Sequence, residues 1–151
     1  MQPLSWRSRA VVVLAVTLLG ATTAHAQDKK VFNPPGAPTN LPFSNGLQVG
    51  DMLWVAGTEG EISGDISEET RTALANIKKV LDMAGYTVNE VVQVTVYLKD
   101  ISEFSKMNAV YAAFFPNPRP TRTTVEVARL VGDARIEITA VAVHSRAGKA
   151  P

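Results

Sequence analysis

The sequence predicts one α+β domain whose elements follow the order β-β-α-β-α-β-β. Val91–Leu98 alternates apolar and polar side chains, which indicates a half-buried strand. Ser67–Ala84 carries apolar residues at helical spacing, which indicates a helix that packs by one face. Short apolar runs bounded by turn residues occur in pairs at both ends of the domain. One mixed sheet with both helices on one face is the simplest layout for this order.

The segment that precedes the domain is predicted to be a signal peptide. Arg7 and Arg9 come before the apolar run Ala10–Ala21, and Ala24–Ala26 has small residues at the positions of a cleavage site. A membrane-spanning helix needs about 20 apolar residues, which is more than this run contains. We therefore expect residues 1–26 to direct Sec-type export, with the mature protein periplasmic or secreted.

The first strands form a predicted hairpin. Asn45–Val49 and Met52–Ala56 are separated by a glycine-containing turn, and residues 57–65, rich in glycine and acid, are predicted to form a loop. The chain is thereby divided into a signal peptide at 1–26, an irregular proline-rich lead-in at 27–41, the domain at 42–146 and a tail at 147–151.

Both helices have recognisable ends. Asp65 or Ser67 can cap the first helix, and Gly85 ends it as a helix-terminating glycine would. Asp100 can cap the second helix, with Glu103 as its capping-box partner, and this helix is predicted to end near Phe115 because three prolines follow at alternate positions.

The remaining strands are predicted at Val91–Leu98, Thr121–Ala128 and Arg135–Val143. The core-facing side chains of the first of them are predicted to be Val92, Val94, Val96 and Leu98. With both helices on one face, the other face of the sheet stays uncovered. It would present Gln93, Thr95, Tyr97 and Thr124. Such a semi-polar face suits contact with another subunit.

Composition excludes several classes of function. The chain has 15 basic and 14 acidic residues, and removal of the signal peptide with its two arginines leaves 13 against 14. This balance does not suggest a nucleic-acid surface. The absence of cysteine excludes disulfides, thiol catalysis and cysteine metal ligation. His144, expected to be exposed, is the one histidine beyond the signal peptide, so a histidine metal site or a serine–histidine pair is not expected.

From the sequence pattern alone, each of three polar residues can be interpreted as an ordinary structural residue or as part of a functional site. Arg122 begins a predicted strand, where a solvated or salt-bridged arginine is the common case. Glu137 lies between two isoleucines, so the alternation places it on the face opposite them, where pairing with a neighbouring cation would be ordinary. Asn108 lies in the second helix, where a surface amide is equally ordinary.

Six segments, in the order expected for one protein family, favour a functional role for these three residues. P-T-R-T-T-V-E-V-A-R-L at Pro120–Leu130 resembles the signature of the Rid (reactive intermediate deaminase, YjgF-type) family. R-I-E-I-T-A-V-A-V at Arg135–Val143 resembles the closing strand of that family. The other four matching segments are Val55–Gly57, Thr70–Leu81, Val91–Asp100 and Asn108–Phe115. The resemblance covers about residues 41 to 145, which is nearly the whole predicted domain.

The resemblance implies a chorismate-mutase-like fold and a barrel-like homotrimer with a small-molecule site in each cleft between subunits. It implies hydrolysis of 2-imino acids to 2-keto acids and ammonia, without a metal or organic cofactor. By the same resemblance Arg122 grips the substrate carboxylate, which suits a guanidinium fork. Glu137 positions and activates the attacking water. The residues expected to complete the substrate site are Asn108, Phe43, Gly57 and Thr124. We expect Arg122 and Glu137 to reach one cleft from adjacent strands.

The chain departs from the family pattern at four positions. Phe43 replaces a tyrosine, Ala56 a serine, Thr58 a glutamine and Thr124 a cysteine. The lost hydroxyls at the first two positions leave open a second reading, a trimer that binds small carboxylates without turnover. A third reading, an RNA-cleaving protein, fits poorly with export and with a mature net charge of −1.

Overall fold

The computed structural model describes residues 28–144, and its elements keep the predicted order with one strand added at the start. The strands are β1 (Lys29–Phe32), β2 (Gly46–Val49), β3 (Met52–Glu59), β4 (Val91–Leu98), β5 (Thr121–Glu126) and β6 (Ile136–Val143). The helices are α1 (Ile66–Ala84) and α2 (Phe104–Phe114), with short 3-10 turns at Val88–Glu90 and Ile101–Glu103. The predicted signal peptide and the tail at 147–151 lie outside the described residues.

The strands form one six-stranded mixed sheet in the order β1-β2-β3-β6-β4-β5. Neighbouring strands are antiparallel except β4 and β5, which are parallel because α2 crosses over between them. The central position of β6 follows from its composition. Its inward side chains are all buried, namely Ile136, Ile138, Ala140 and Ala142.

Both helices contribute to one core on one face of the sheet, as predicted. Apolar side chains on one face of α1 pack in a single buried cluster with side chains of α2 and the inward side chains of the central strands. The predicted ends of α1 are confirmed. The Asp65 carboxylate accepts the backbone N–H of Ser67 at 2.8 Å, and Gly85 closes the helix with a φ of 79°.

Two segments predicted to be irregular form strands. Lys29–Phe32, in the proline-rich lead-in, pairs with β2 and so covers an edge that would otherwise be unpaired. The strand β3 continues to Glu59 into the segment predicted to be a loop. The glycine at position 57 belongs to a β-bulge inside the strand rather than to a turn, which is why composition was misleading.

A second bulge corrects the predicted face of β4. Three residues of β4, from Val91 to Gln93, oppose two residues of β6, Ala142 and Val141, and the alternation shifts by one position there. Val91 is therefore buried, whereas Val92, predicted to face the core, is 45% exposed. Strict alternation fails here because a bulge is a property of the strand pair.

His144, the residue after β6, packs against the segment that follows α1. Its ring stacks on Tyr86 with centroids 3.6 Å apart, and its Nδ1 lies 2.9 Å from Glu90 Oε1. The histidine is thus half-buried rather than exposed as predicted. Within residues 28–144, no helix has the length and hydrophobicity needed to cross a bilayer.

Candidate functional site

Glu137 lies on the sheet face opposite the helices, as its position between two isoleucines predicted. It lines a cavity of about 440 Å³. The other residues around this cavity are Phe43, Ala56, Gly57, Glu59 and Val131. Three predicted site residues, Phe43, Gly57 and Glu137, are therefore brought together. Phe43 is 53% exposed, so an apolar ring stands beside the acid.

The bulge in β3 positions the Glu137 carboxylate. Between Val55 and Thr58 the strand has two residues, Ala56 and Gly57, where β6 has one, Thr139. The hydroxyl of Thr58 donates to the carbonyl of Ala56 at 2.8 Å, which ties the bulge together. A Cβ on Gly57 would overlap the Glu137 carboxylate. Because Gly57 has no side chain, the Glu137 carboxylate can occupy the space next to it.

A second carboxylate shares this cavity. Glu59 lies directly opposite Glu137 in the antiparallel pair of β3 and β6. Burial raises the pKa of Glu59, and the charge of Glu137 raises it further. The cavity thus combines two acids with apolar walls.

Arg122 lines a different cavity, of about 340 Å³. Its other lining residues are Asn108, Tyr111, Ala112, Arg119 and Pro120. The guanidinium carbon of Arg122 lies 4.4 Å from the ring centroid of Tyr111 and 5.5 Å from that of Phe104. These cation–π contacts hold the guanidinium close to two aromatic rings and leave its N–H groups available to a ligand. Within residues 28–144, no ion pair engages it.

Two hydroxyls on the helix-covered side of the sheet add polar character to the Arg122 region. The Tyr111 hydroxyl and the Thr124 Oγ1 are buried and have no hydrogen-bond partner in the described part of the chain. Burial raises the pKa of Tyr111, against the opposing charges of Arg122 and Arg119, so the phenol stays neutral at pH 7. Thr124 lies opposite Val96, so it shares the face of Arg122, and the prediction that it lies on the uncovered face is wrong.

The two predicted catalytic residues do not meet within one chain. Arg122 lies opposite Val94 on the face that the helices cover, whereas Glu137 lies opposite Tyr97 on the other face. The strands β5 and β6 are not neighbours, because β4 lies between them. The expectation that adjacent strands carry both groups to one cleft is therefore wrong for a single chain. The parallel crossover through α2 places β5 at the edge of the sheet, on one side of β4, and β6 lies on the other side of β4.

The uncovered sheet face is more apolar than predicted. Met52 and Trp54 in β3 and Val125 in β5 are 38%, 41% and 39% exposed. Trp54 lies opposite Val141, and polar side chains of β4 continue the same surface. Exposed apolar surface of this kind marks a contact region on many proteins.

A buried acid holds the loop between β3 and α1. Glu69 is 1% exposed, and its carboxylate accepts the backbone N–H groups of Ser63 at 3.2 Å, Gly64 at 3.0 Å and Arg135 at 2.9 Å. The last of these bonds ties the loop to the residue before β6. Glu69 thereby fixes the end of β3 relative to the start of β6, the two strand segments that carry Glu59 and Glu137.

Sequence reasoning missed Glu59, Tyr111 and Arg119 as wall residues. Glu59 lies in a segment that the sequence predicts to be a loop, and a loop residue has no predictable partner across a sheet. The contact of Tyr111 with Arg122 depends on how α2 crosses β5, which the sequence pattern does not show. In the described part of the chain, no group of three or more His, Asp or Glu side chains is placed to hold a metal ion.

Comparison with known proteins gives a consistent result. A family model described as endoribonuclease L-PSP matches residues 35–144. A RutC family protein of Pyrococcus horikoshii is 46% identical over 122 residues, which cover 76% of this chain and 97% of that protein. The 2-iminobutanoate/2-iminopropanoate deaminase of Escherichia coli is 38% identical over 125 residues, covering 76% and 98% of the two chains.

A solved structure is similar over the same region. The crystal structure of Escherichia coli TdcF with bound serine superposes with a TM-score of 0.71 at 34% identity. The match covers 77% of this chain and 99% of TdcF. The mixed sheet with two helices is thus the architecture of these relatives.

Proposed function

Because the chain belongs to the endoribonuclease L-PSP family, also known as the YjgF or Rid family, we propose that it hydrolyses small imines. The substrates are 2-imino acids and their enamine tautomers, and the products are 2-keto acids and ammonia. Relatives named as deaminases support a deamination role. The proposal assigns this role to clefts in a homotrimer, where Arg122 of one subunit meets Glu137 of its neighbour.

The observation that carries the proposal is the division of the site into two halves. One half offers a guanidinium held against aromatic rings, and the other offers a carboxylate held over a glycine. The halves lie on opposite faces of one sheet, so a small ligand can touch both only if two chains associate. The exposed apolar residues on the uncovered face favour such association.

The chemistry follows from these groups. Arg122 pairs with the substrate carboxylate through two parallel hydrogen bonds, which fixes the imine carbon in place. The substrate reacts as the protonated imine: Glu137 takes one proton from water as the water oxygen bonds to the imine carbon and the electron pair of the C=N π bond moves to nitrogen. The same carboxyl then gives its proton to the nitrogen of this carbinolamine, the C–N bond breaks, and the hydroxyl proton returns to the Glu137 carboxylate as the keto group forms and ammonia leaves. Small imines already hydrolyse in water, so positioning of the substrate and the water is expected to contribute most of the rate acceleration by the protein.

The direct test uses imines generated from amino acids by an amino-acid oxidase. Protein lacking residues 1–26 should form keto acid faster than buffer alone, and Arg122→Ala should remove the gain. Absence of acceleration across a panel of small imines would overturn the proposed reaction.

The separate roles of Arg122 and Glu137 predict different defects. Arg122→Lys should lose most of the ligand affinity, because a lysine cannot form the paired bonds of a guanidinium. Glu137→Gln should keep keto-acid binding and lose turnover by up to about 10²-fold, at the low end of general-base effects. Binding by calorimetry and turnover by keto-acid formation separate the two. Full turnover by Glu137→Gln would make the glutamate a structural acid.

A second candidate function is small-carboxylate binding without turnover. It is favoured by Phe43, which places an exposed apolar ring in the Glu137 cavity where a hydroxyl would otherwise stand. A thermal-shift screen with 2-keto acids and short fatty acids distinguishes the candidates, since binding without any turnover supports this one. Ribonuclease activity, which the family description names, should disappear on repurification if the imine proposal is correct.

Export completes the proposal. The arginine-led apolar segment at the start of the chain supports delivery to the periplasm or the medium. Cell fractionation, with mass determination of the exported form, should show a chain shortened by about 26 residues, the length of the predicted signal. A protein that keeps these residues and stays with the cytosolic fraction would contradict export.

A further inference from the structure

Within one chain, the Glu137 cavity carries a negative charge that no cation of residues 28–144 compensates, and in the proposed cleft Arg122 of the neighbouring subunit pairs with the substrate carboxylate. Glu59 and Glu137 lie directly opposite each other, where the Cβ atoms of an antiparallel pair are about 5 Å apart. Like charges in this arrangement destabilise a sheet. The ion pairs found within residues 28–144 involve other acids, so neither carboxylate has a cation beside it there. The raised pKa of Glu59, caused by burial and by the charge of Glu137, agrees with a missing counter-charge.

The walls of the same cavity are apolar. Phe43 is 53% exposed and Val131 is 75% exposed, and both line the space next to the two acids. A ligand with an aliphatic stem would cover these side chains, and a positive group at the end of the stem would neutralise Glu59 while Glu137 stays beside the reacting carbon. A purely aliphatic ligand would satisfy the walls but would leave two carboxylates desolvated, which is costly.

We propose that Glu59 makes this site selective for 2-imino acids whose side chain ends in a cationic group, such as a guanidinium or an ammonium. Glu137 alone suffices for water activation, so the second carboxylate acts on substrate choice. The selectivity of turnover rests on the proposed function. The binding preference does not require any turnover, and it is measured separately.

Arginine and citrulline are a matched pair of probes. They have the same stem, and a guanidinium in one replaces a neutral urea in the other. Calorimetry should give L-arginine at least about 10-fold tighter binding than L-citrulline, and Glu59→Gln should reduce that ratio to near one. Glu61→Gln is the control, because Glu61 is an exposed acid two residues further on that does not line the cavity. Turnover of the two corresponding imines should show the same pattern in kcat/KM.

The outcomes are distinguishable. Equal affinity for arginine and citrulline in the unaltered protein overturns the inference, whether or not imines are hydrolysed. Turnover of neutral imines without a cationic preference leaves the proposed function intact and rejects the selectivity. A cationic binding preference without any turnover keeps the role of Glu59 in binding and rejects the deaminase. If Glu59→Gln dissociates the oligomer or lowers its melting temperature, the carboxylate pairs with a neighbouring subunit, and the inference is wrong.

Discussion

Gly57 shows how one backbone position controls a side chain on another strand. The bulge in β3 brings the Gly57 Cα beneath Glu137, and the glycine leaves the room that the carboxylate occupies. Arg122 is positioned differently, since its guanidinium lies close to two aromatic rings of α2. Both charged groups therefore keep their orientation without an ion pair inside the described chain.

The Gly57→Ala substitution tests this arrangement. The new methyl group would force the Glu137 carboxylate to move, while Arg122 and the core stay in place. We expect turnover to fall by about 10-fold or more, since a displacement of about 1 Å at a catalytic group can have effects of that order. Keto-acid affinity should change less than kcat. Gly64→Ala in the adjacent loop controls for lost stability, because its φ of 78° strains the alanine although no atom lies near the added methyl group, so it should lower the melting temperature and leave kcat unchanged. Unchanged kcat in Gly57→Ala would show that Glu137 does not act from its observed position.

At the scale of elements, the loop between β3 and α1 depends on one buried acid. Glu69 accepts three backbone N–H groups and has no exposed surface to solvate it otherwise. Glu69→Ala removes three charge-assisted bonds and leaves three donors unpaired. We expect a loss of about 3 kcal/mol in the free energy of unfolding, measured by urea denaturation.

Glu68→Ala is the control for this prediction. Glu68 is the neighbouring acid on the same helix, and its ion pair with Arg71 is exposed on both sides. Its removal should cost less than about 1 kcal/mol. Similar losses in both variants would contradict the role of Glu69 as the residue that anchors the loop.

The contact between Glu90 and His144 predicts an acid-sensitive contribution to stability. Although burial opposes it, hydrogen bonds from His144 and Thr87 lower the pKa of Glu90 from 4.5 to about 2. A depressed carboxyl pKa stabilises the fold above the unfolded value, and this stability is lost as the pH falls from 4.5 to about 2. Glu90→Gln should therefore be less stable than the unaltered protein by about 1–2 kcal/mol at pH 7.

The difference should shrink as the pH falls from 4.5 through about 2, because Glu90 becomes protonated over this range and then carries no charge, like glutamine. Urea titrations at several pH values measure it. Glu61→Gln, at an exposed loop position, should show no such convergence. A constant difference across this range would mean that Glu90 acts through packing and not through its charge.

The elements also show which features a single sequence can predict. The ends of α1 were predictable because Asp65 and Gly85 act within one turn of the helix. The face of Glu137 was predictable because alternation is local to β6. The relation between Arg122 and Glu137 was not, because it depends on strand order, which a crossover of the whole chain decides. The role of Glu59 was hidden for the same reason, since a bulge is defined only by the register of two strands.

At the scale of the whole molecule, the sheet separates the two halves of the site. One chain presents its carboxylate half on the uncovered face and its arginine half on the helix side. Exposed Trp54 and Met52 lie on the uncovered face, where burial in an interface would stabilise an oligomer. Light scattering should give a mass near three chains. Trp54→Asp should reduce both the mass and the turnover, and an active monomer would contradict the interfacial site.

Mixing two inactive variants provides the sharpest test of a site shared between subunits. Arg122→Ala removes one half of every site, and Glu137→Gln impairs the other half. If each cleft joins Arg122 of one subunit to Glu137 of the next, every mixed trimer regains one intact site of its three. An equal mixture, unfolded and refolded together, should therefore recover about a quarter of the unaltered activity, as cyclic three-fold symmetry requires. Variants refolded separately and then combined without exchange should stay at the sum of their residual activities, which is the control. If co-refolding restores nothing although mixed trimers are detected by mass spectrometry, both residues act within a single chain, and the interfacial site is wrong.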